Sequence, residues 1–496
     1  VTIRGHDDFV ADVECDVVIV GTGPGGASAG RVLAEAGRRV VFLEEGPGAP
    51  KFRMNQANAQ RYHYQERGTM IARGSVFMPV AAGRGVGGGS LVNSALAFRT
   101  PDYVLDDWSA RLGVDRFSKD VARAVFDEIE ALIGVRTTDA TIGGENNAIL
   151  VRGAAAMGWQ GGWAPRNTPG CVGCGLCNVG CPSGGKGSMD RNQIAIARER
   201  GAVVQADAKV DRILVEGDAA VGVSARVLHP DTDVEVGRVT VRAAKVVLSA
   251  GAVGTPRLLH HTGLAARLGP VGDTLYVHPG NAVLGLCDHD VHVWKGATQG
   301  AYFHVPDLPG VLPHTFSAPP EVVLMALTGA GLTGKEAMAL VPKVCGVIVL
   351  VSDHGQGRVR ATAEGRADLK YVFDDGDVER IKEGLVRSAE VLLAGGARRL
   401  LVPARGVGIV DTVDALRAAL QPLTVSDFSM YAAHPMGSCP MGVDPATSVV
   451  GPDGAAHGLP GLYLADASVF PTSLGVNPQL TTMMVATQIG RAIAAG

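Results

Sequence analysis

Apolar positions along this chain follow two rhythms. Unbroken short runs at Val17 to Val20, Val40 to Leu43 and Lys245 to Ser249 read as strands buried on both faces, as in a parallel sheet. Between the first two, Ala27 to Ala36 presents small residues along one face and meets Gly37, which predicts a helix ended by glycine. Helical patterns cover Asp115 to Leu132 and Asp190 to Gly201, and alternation over Val203 to Ala208 and Asp211 to Val227 predicts strands. From about His278 to Met430 the character changes: strands at Val347 to Val351 and Gly357 to Thr362 precede a strongly amphipathic helix, Asp377 to Leu393. The end returns to a strand, Leu462 to Ala465, and a helix, Gln479 to Ala494, with no internal repeat.

Strand, glycine turn, helix and strand in succession give an α/β class with a Rossmann-type nucleotide-binding domain. We divide the chain into that domain over residues 1–277, a substrate-binding block over 278–430, and a return to the first domain over 431–496. A cysteine-rich insert at about 165–190 interrupts the first part.

Composition narrows the function. With 45 Lys+Arg against 49 Asp+Glu, a net charge of −4, the chain lacks the basic excess that neutralises nucleic-acid phosphates. Its 67 glycines without a Gly-X-Y period imply tight turns and close backbone approaches. Aromatics are only 5%, too few for a platform of stacked rings. No stretch reaches the roughly 20 apolar residues needed to span a bilayer. No signal peptide pattern opens the sequence, so a cytoplasmic enzyme is expected.

Gly21-x-Gly23-x-x-Gly26 follows the first strand and opens the first helix, and Glu44 ends the next strand. Gly21 permits the turn, Gly23 lets backbone N–H groups approach a pyrophosphate, and Gly26 permits close helix packing. Glu44 would accept ribose hydroxyls. This predicts a dinucleotide without choosing between FAD and NAD.

The segment Gly83 to Asn93, with Gly85, Gly87, Gly88 and Gly89, resembles the first signature of the glucose–methanol–choline (GMC) oxidoreductases. It is most similar to the cholesterol oxidase branch, a likeness that concerns flavin binding and not a sterol substrate. Gly251 to Leu259 resembles the second signature, departing afterwards at Thr262 and Ala265. His434 to Gly442, Asp466-Ala467-Ser468 and Gly475-Val476-Asn477-Pro478 match the C-terminal active-site segments. The resemblance implies the GMC fold, a Rossmann-type FAD domain with a second, antiparallel-sheet substrate domain. It implies FAD held by Gly21, Gly23, Gly26, Glu44, Gly85, Gly87 to Gly89, Asn93, Asp466 and Pro478. By the same resemblance His434 is the catalytic base and Asn477 positions the substrate hydroxyl. The residues agree: bare glycines let a backbone lie flat against a flavin ring, and imidazole can be neutral near physiological pH, as a base must be. The helix after Pro478 would aim its N-terminus at reduced flavin. Asn93 either bonds the flavin or caps its loop.

Of eight cysteines, four form Cys171-x-x-Cys174-x-x-Cys177-x-x-x-Cys181-Pro182, the spacing of bacterial ferredoxin cluster ligands. Such runs send their fourth cysteine to a second cluster, and this chain has one run. An iron–sulfur cluster, a zinc site or plain loop thiols all fit the spacing. A cluster would carry electrons from FAD to an external acceptor. Asp288, His289, Asp290 and His292 read as a solvated turn, and His260-His261 as cationic residues finishing a helix.

These readings predict oxidation of an alcohol to an aldehyde or ketone by hydride transfer to flavin N5, with oxygen, a quinone-like molecule or a protein as final acceptor. The sparse aromatics favour a polar, sugar- or aminosugar-like alcohol. A long-chain alcohol oxidase and a non-oxidative lyase on the same fold are the alternatives. Oligomeric state is not legible in the chain.

Overall fold

The computed structural model describes residues 3–48, 53–354 and 356–496. The apolar runs form the parallel centre of an eight-stranded sheet. Asp12–Val20 lies between Val40–Leu43 and the 14-residue strand Glu235–Leu248, parallel to both. Val203–Gln205 and Ile3–Arg4 extend one side in parallel, and Leu462–Leu464 joins the end of Glu235–Leu248. On the other side Ala208–Glu216 and Ala219–Leu228 form an antiparallel meander. The single alternating stretch expected over Asp211 to Val227 is therefore two strands. They reverse at Gly217-Asp218, where Gly217 has φ +58°, a left-handed conformation that glycine adopts at no steric cost.

Helix Pro24–Glu35 begins three residues before its expected start. Pro24 sits at its N1 position, where proline's fixed φ suits the helix and its missing N–H costs nothing. Buried small residues let this helix pack against Gln479–Ala495. The helix expected from Asp115 is a 3₁₀ turn, Asp115–Phe117, and then Lys119–Ile133, because Ser118 between them is extended. Likewise Asn192 breaks the helix expected from Asp190. Its side chain accepts from Gln193 N at 2.6 Å and starts Gln193–Glu199.

A second, six-stranded sheet is antiparallel throughout. Its order is Arg399–Leu401, Gly280–Leu286, Val344–Val351, Val311–Thr315, Ala301–Phe303 and Gly161–Trp163. Helix Asp375–Ala394 packs on it, started by Asp374, whose side chain accepts from Asp377 N. A four-stranded sheet joins Gln356–Ala361 and Ala367–Val372 to Ile71–Gly74 and Met78–Pro79. Chain from 161–163 and 71–79 thus enters sheets built mainly from residues after 278. His260 does not act as a cation at its helix end: Nε2 lies 2.8 Å from Val271 O and burial lowers its pKa. The Asp288 to Asp290 turn is exposed and paired with Arg398 and Glu145.

Candidate active site

One cavity of about 370 Å³ runs between the parallel sheet and the antiparallel sheet. At one end lies the turn after the first strand. Gly21 has φ +100°, and a Cβ there would stand 2.3 Å from Ser249 O. A Cβ on Gly25 would meet Ala465 O at 2.2 Å, and one on Gly26 would meet Gly21 O at 2.1 Å. Gly23 caps the helix without a side chain, so the first helical N–H groups face the cavity unshielded.

The glycine loop is seated against this turn. Gly88 has φ +54°, and a Cβ on it would be 2.5 Å from Gly23 Cα, whereas a Cβ on Gly89 would meet nothing within 4 Å. Gly21, Gly23, Gly88 and Gly89 line the cavity. Gly26, Gly85 and Gly87 lie behind its wall, where they shape the backbone. Gly85 N donates to Glu44 Oε1 at 3.0 Å and Gly87 N to Thr22 Oγ1 at 3.2 Å.

Glu44 is more committed than its motif suggests. Its Oε2 accepts from Thr22 N and Thr22 Oγ1 at 3.1 and 2.7 Å, and its Oε1 accepts from Gly46 N and Gly85 N, both at 3.0 Å. Burial raises its pKa. Glu45 beside it also lines the cavity. Burial opposes its ionisation, but Arg257, Lys209 and Arg84 outweigh that and hold its carboxyl below the usual range. Arg257 lies in the second signature, yet nothing in the sequence marked Glu45 or Lys209.

Asp466 is buried on the wall and accepts from Gly251 N at 2.9 Å, Thr255 Oγ1 at 2.6 Å and Ser468 N at 2.7 Å. Asn93 accepts from Ala95 N at 3.1 Å and donates to Gln479 Oε1, so it ties its loop to the helix that Pro478 opens. Asn93, Asp466 and Pro478 all line the cavity.

At the other end His434 and Asn477 meet, with Nε2 and Nδ2 3.0 Å apart. On its far side His434 Nδ1 lies 3.4 Å from Nδ1 of His278, a buried residue with φ +48°. His278 Nε2 accepts from Gly475 N at 2.9 Å and Leu474 N at 3.3 Å. Buried Asp353 ties the His278 backbone to the Ser473 and Tyr371 side chains. It accepts from Val277 N at 2.9 Å, His278 N at 3.3 Å, Tyr371 Oη at 2.7 Å and Ser473 Oγ at 2.8 Å. Burial holds His434 well below the usual imidazole range, and His278 and His314 push the same way. His314, on strand Val311–Thr315, also lines the cavity. Neither His278 nor His314 sits in a motif.

The four cysteines line a separate small cavity with Lys186. All are free thiols. Among the described residues the only His, Cys, Asp or Glu trio with ligand atoms all within 4.8 Å is His354, Asp374 and Asp377. The thiols are therefore not gathered for one tetrahedral zinc, whose Zn–S length of ~2.3 Å sets sulfurs about 3.8 Å apart. Cys177 is buried, and Arg166 Nη2 lies 3.3 Å from its sulfur. Burial opposes its ionisation, but Arg166 and Lys186 outweigh that and lower its pKa. Asn178, the next residue, lines the large cavity, so the two cavities share a wall.

A dinucleotide turn, a glycine loop and a histidine–asparagine pair around one cavity define an FAD-dependent oxidoreductase. Family models agree: one for an FAD binding domain matches residues 14–70, and models for GMC oxidoreductase match 60–280 and 353–486. An uncharacterized GMC-type oxidoreductase of Mycobacterium tuberculosis is 33% identical over 97% of this chain and 76% of its own. The chain belongs to the GMC oxidoreductase family. It is also similar to a long-chain-alcohol oxidase of Arabidopsis thaliana, at 28% identity over 97% of this chain and 67% of the relative. Pyridoxine 4-oxidase shares the fold, with TM-score 0.74 and 18% identity over 96% of this chain and 98% of that one. Formate oxidase has TM-score 0.73 at 16% identity over 98% and 99%. No helix of the described residues is long and apolar enough to cross a membrane.

Proposed function

We propose that this chain oxidises an alcohol to an aldehyde or ketone. The observation that carries it is the His434–Asn477 pair, on the wall of the same cavity as the Rossmann turn and glycine loop. The residues fit FAD: Gly21, Gly23, Gly88, Gly89, Asn93, Asp466 and Pro478 would hold it, and the open space at the Gly89 Cβ position is a cradle a side chain would fill. When bound, FAD supplies acceptance of a hydride at N5 from the carbinol carbon. His434 and Asn477 would receive the hydroxyl between them, His434 as the imidazole that handles its proton and Asn477 as the amide that orients the oxygen. Asp353 supports the pair through the backbone N–H of His278, which backs His434, and through the hydroxyl of Ser473.

Two substrate types have support. The plant relatives carry long-chain alcohol oxidase as their name. Gln299, His314 and Tyr431 on the cavity wall favour an alcohol with further polar groups, such as a sugar or aminosugar. For the electrons' exit we propose an iron–sulfur cluster on Cys171, Cys174, Cys177 and Cys181, passing them to a quinone-like or protein acceptor. Its support is the spacing of the four cysteines, the small cavity they share and the wall that cavity has in common with the flavin site.

Anaerobic rapid mixing of the FAD-loaded protein with sugar, aminoglycoside and fatty alcohols tests the main reading. A productive alcohol bleaches the flavin, and His434→Ala slows bleaching by roughly 10²- to 10⁴-fold while keeping yellow FAD. Unchanged bleaching in the variant sinks the site assignment, and a catalytic turnover without bleaching identifies a lyase. Iron and acid-labile sulfide assays decide the cysteine site by themselves.

A further inference from the structure

We infer that Lys186 and Arg166 are positioning residues of the flavin site: set behind the turn Asn93 to Ala95, they aim the Ser94 N–H into the cavity and strengthen it as a donor to the flavin. This rests on the reading that the cavity holds FAD, and not on the alcohol or on what the thiols bind.

The turn is pinned from the side of the cysteine insert. Lys186 and Arg166 are 2% and 0% exposed. Lys186 Nζ lies 2.7 Å from Leu91 O, 2.9 Å from Asn93 O and 3.2 Å from Cys177 O. Three carbonyls around one nitrogen leave no place for an amine lone pair, so the group is the ammonium with its three N–H donors. Burial lowers its pKa, and Cys177 and Cys181 act against that. Arg166 Nε donates to the next carbonyl, Ser94 O, at 3.0 Å, and its Nη2 reaches Cys177 Sγ at 3.3 Å. Asn167 N donates to Ala95 O at 3.0 Å. These donors hold Ala95 at φ +63°, a left-handed conformation that a side chain disfavours.

The pinning decides where one N–H points. In a trans peptide the N–H is directed opposite to the C=O. With Asn93 O on Lys186, the Ser94 N–H therefore points away from the insert. Asn93, Ser94 and Ala95 line the large cavity and Lys186 lines the small one behind them, so that direction is the large cavity. The N–H groups on either side are spent: Asn93 N donates to Gly89 O at 3.0 Å and Ala95 N to Asn93 Oδ1 at 3.1 Å. Ser94 N donates to no acceptor among the described residues. A buried residue with an unspent N–H calls for a partner. Hydrogen bonds in a chain polarise one another, so a cation on Asn93 O makes the Ser94 N–H a better donor. A fixed donor of this kind, backed by buried positive charge, favours the negative charge that a flavin gains on reduction.

Two measurements on the FAD-loaded protein test this: the flavin midpoint potential, and titration with sulfite, which bleaches oxidised flavin and adds negative charge to it. Lys186→Met should bind sulfite about 10-fold more weakly, as a bond to the flavin loses its charge assistance. Its potential should fall by about 30 mV, the same factor for a two-electron couple. Lys186→Gln keeps two N–H donors without the charge and should move both readouts the same way, as should Arg166→Gln. Wild-type sulfite affinity and potential in the FAD-loaded variants overturn the inference. So does a failure of all three variants to hold FAD, which would make the two cations a brace for the fold and nothing more. Neither measurement uses an alcohol. If no alcohol bleaches the wild type, the alcohol-oxidation reading falls while the potential still decides this one.

Discussion

Replacing Gly89 with alanine separates a flavin cradle from an ordinary tight loop. The added methyl would meet no atom within 4 Å, and Gly89 is not among the residues with positive φ. The FAD-free polypeptide should therefore melt as the wild type does, within the roughly 0.5 kcal/mol usual for uncoupled substitutions. If an isoalloxazine lies against this loop, the methyl occupies its place. Forcing one extra carbon into a packed contact costs about 1–3 kcal/mol, which weakens FAD binding about 5- to 150-fold. Gly88→Ala is the contrast. Its methyl would stand 2.5 Å from Gly23 Cα at a φ of +54°, so the FAD-free fold loses stability as well. The assays are thermal melting of FAD-free protein and FAD titration followed by flavin fluorescence. Wild-type FAD affinity in Gly89→Ala, or a loss of apoprotein stability there equal to that in Gly88→Ala, would refute the cradle.

Two further outcomes follow from buried groups away from the reacting end. His63 is buried and its pKa is lowered by desolvation to about 4. The unfolded chain gains a proton there as pH falls below about 6.5 while the folded chain does not, so this group's contribution is lost between about pH 6.5 and 4. Relative to wild type, His63→Gln should gain about 2 kcal/mol between pH 7.5 and pH 5, at 1.36 kcal/mol per unit of pKa shift. Denaturant unfolding of both proteins at the two pH values measures it, and a pH-independent difference would show that His63 titrates normally. Lys186 Nζ donates to Leu91 O at 2.7 Å, Asn93 O at 2.9 Å and Cys177 O at 3.2 Å. Lys186→Met leaves three carbonyls without that donor and should cost at least the roughly 1–3 kcal/mol typical of one buried group left unpaired. Thermal melting together with FAD affinity reads the loss, and an unchanged affinity would show that the flavin loop holds its shape alone.

Local patterns made much of the fold legible. Continuous apolar runs located Asp12–Val20, Val40–Leu43 and the end of Glu235–Leu248, because a strand buried on both faces has no polar positions to confuse it. The amphipathic stripe likewise located Asp375–Ala394. What escaped depended on single residues or distant partners. Ser118 and Asn192 break helices through one backbone conformation each. Ile71–Gly74 and Gly161–Trp163 are too short to signal strands, and they exist because sheets from later in the chain offer them edges. The glycine segments on the cavity wall show in the sequence because glycine spacing encodes backbone geometry. His314 does not. It stands in an apolar run, Val311–Thr315, where a lone histidine reads as core. Its distinguishing marks, a ring nitrogen spent on Thr315 O and another left bare, arise only after folding.

The cysteine insert shows why a motif and its place in the fold are separate arguments. Spacing alone leaves cluster, zinc and free thiols open. Folding sets Cys177 and Asn178 on opposite sides of one wall, the first toward the small cavity and the second toward the large one. It also sends the Lys186 ammonium out of the insert to the carbonyls of Leu91 and Asn93, the last residues of the flavin loop. The insert thus buttresses the flavin site through Lys186 whatever its thiols hold, and a redox group among them would be one residue from that site's wall. These two roles act through different atoms. Loss of Lys186 should disturb FAD affinity while leaving the four thiols in place, and loss of a thiol should leave the Lys186 contacts to Leu91 and Asn93 in place.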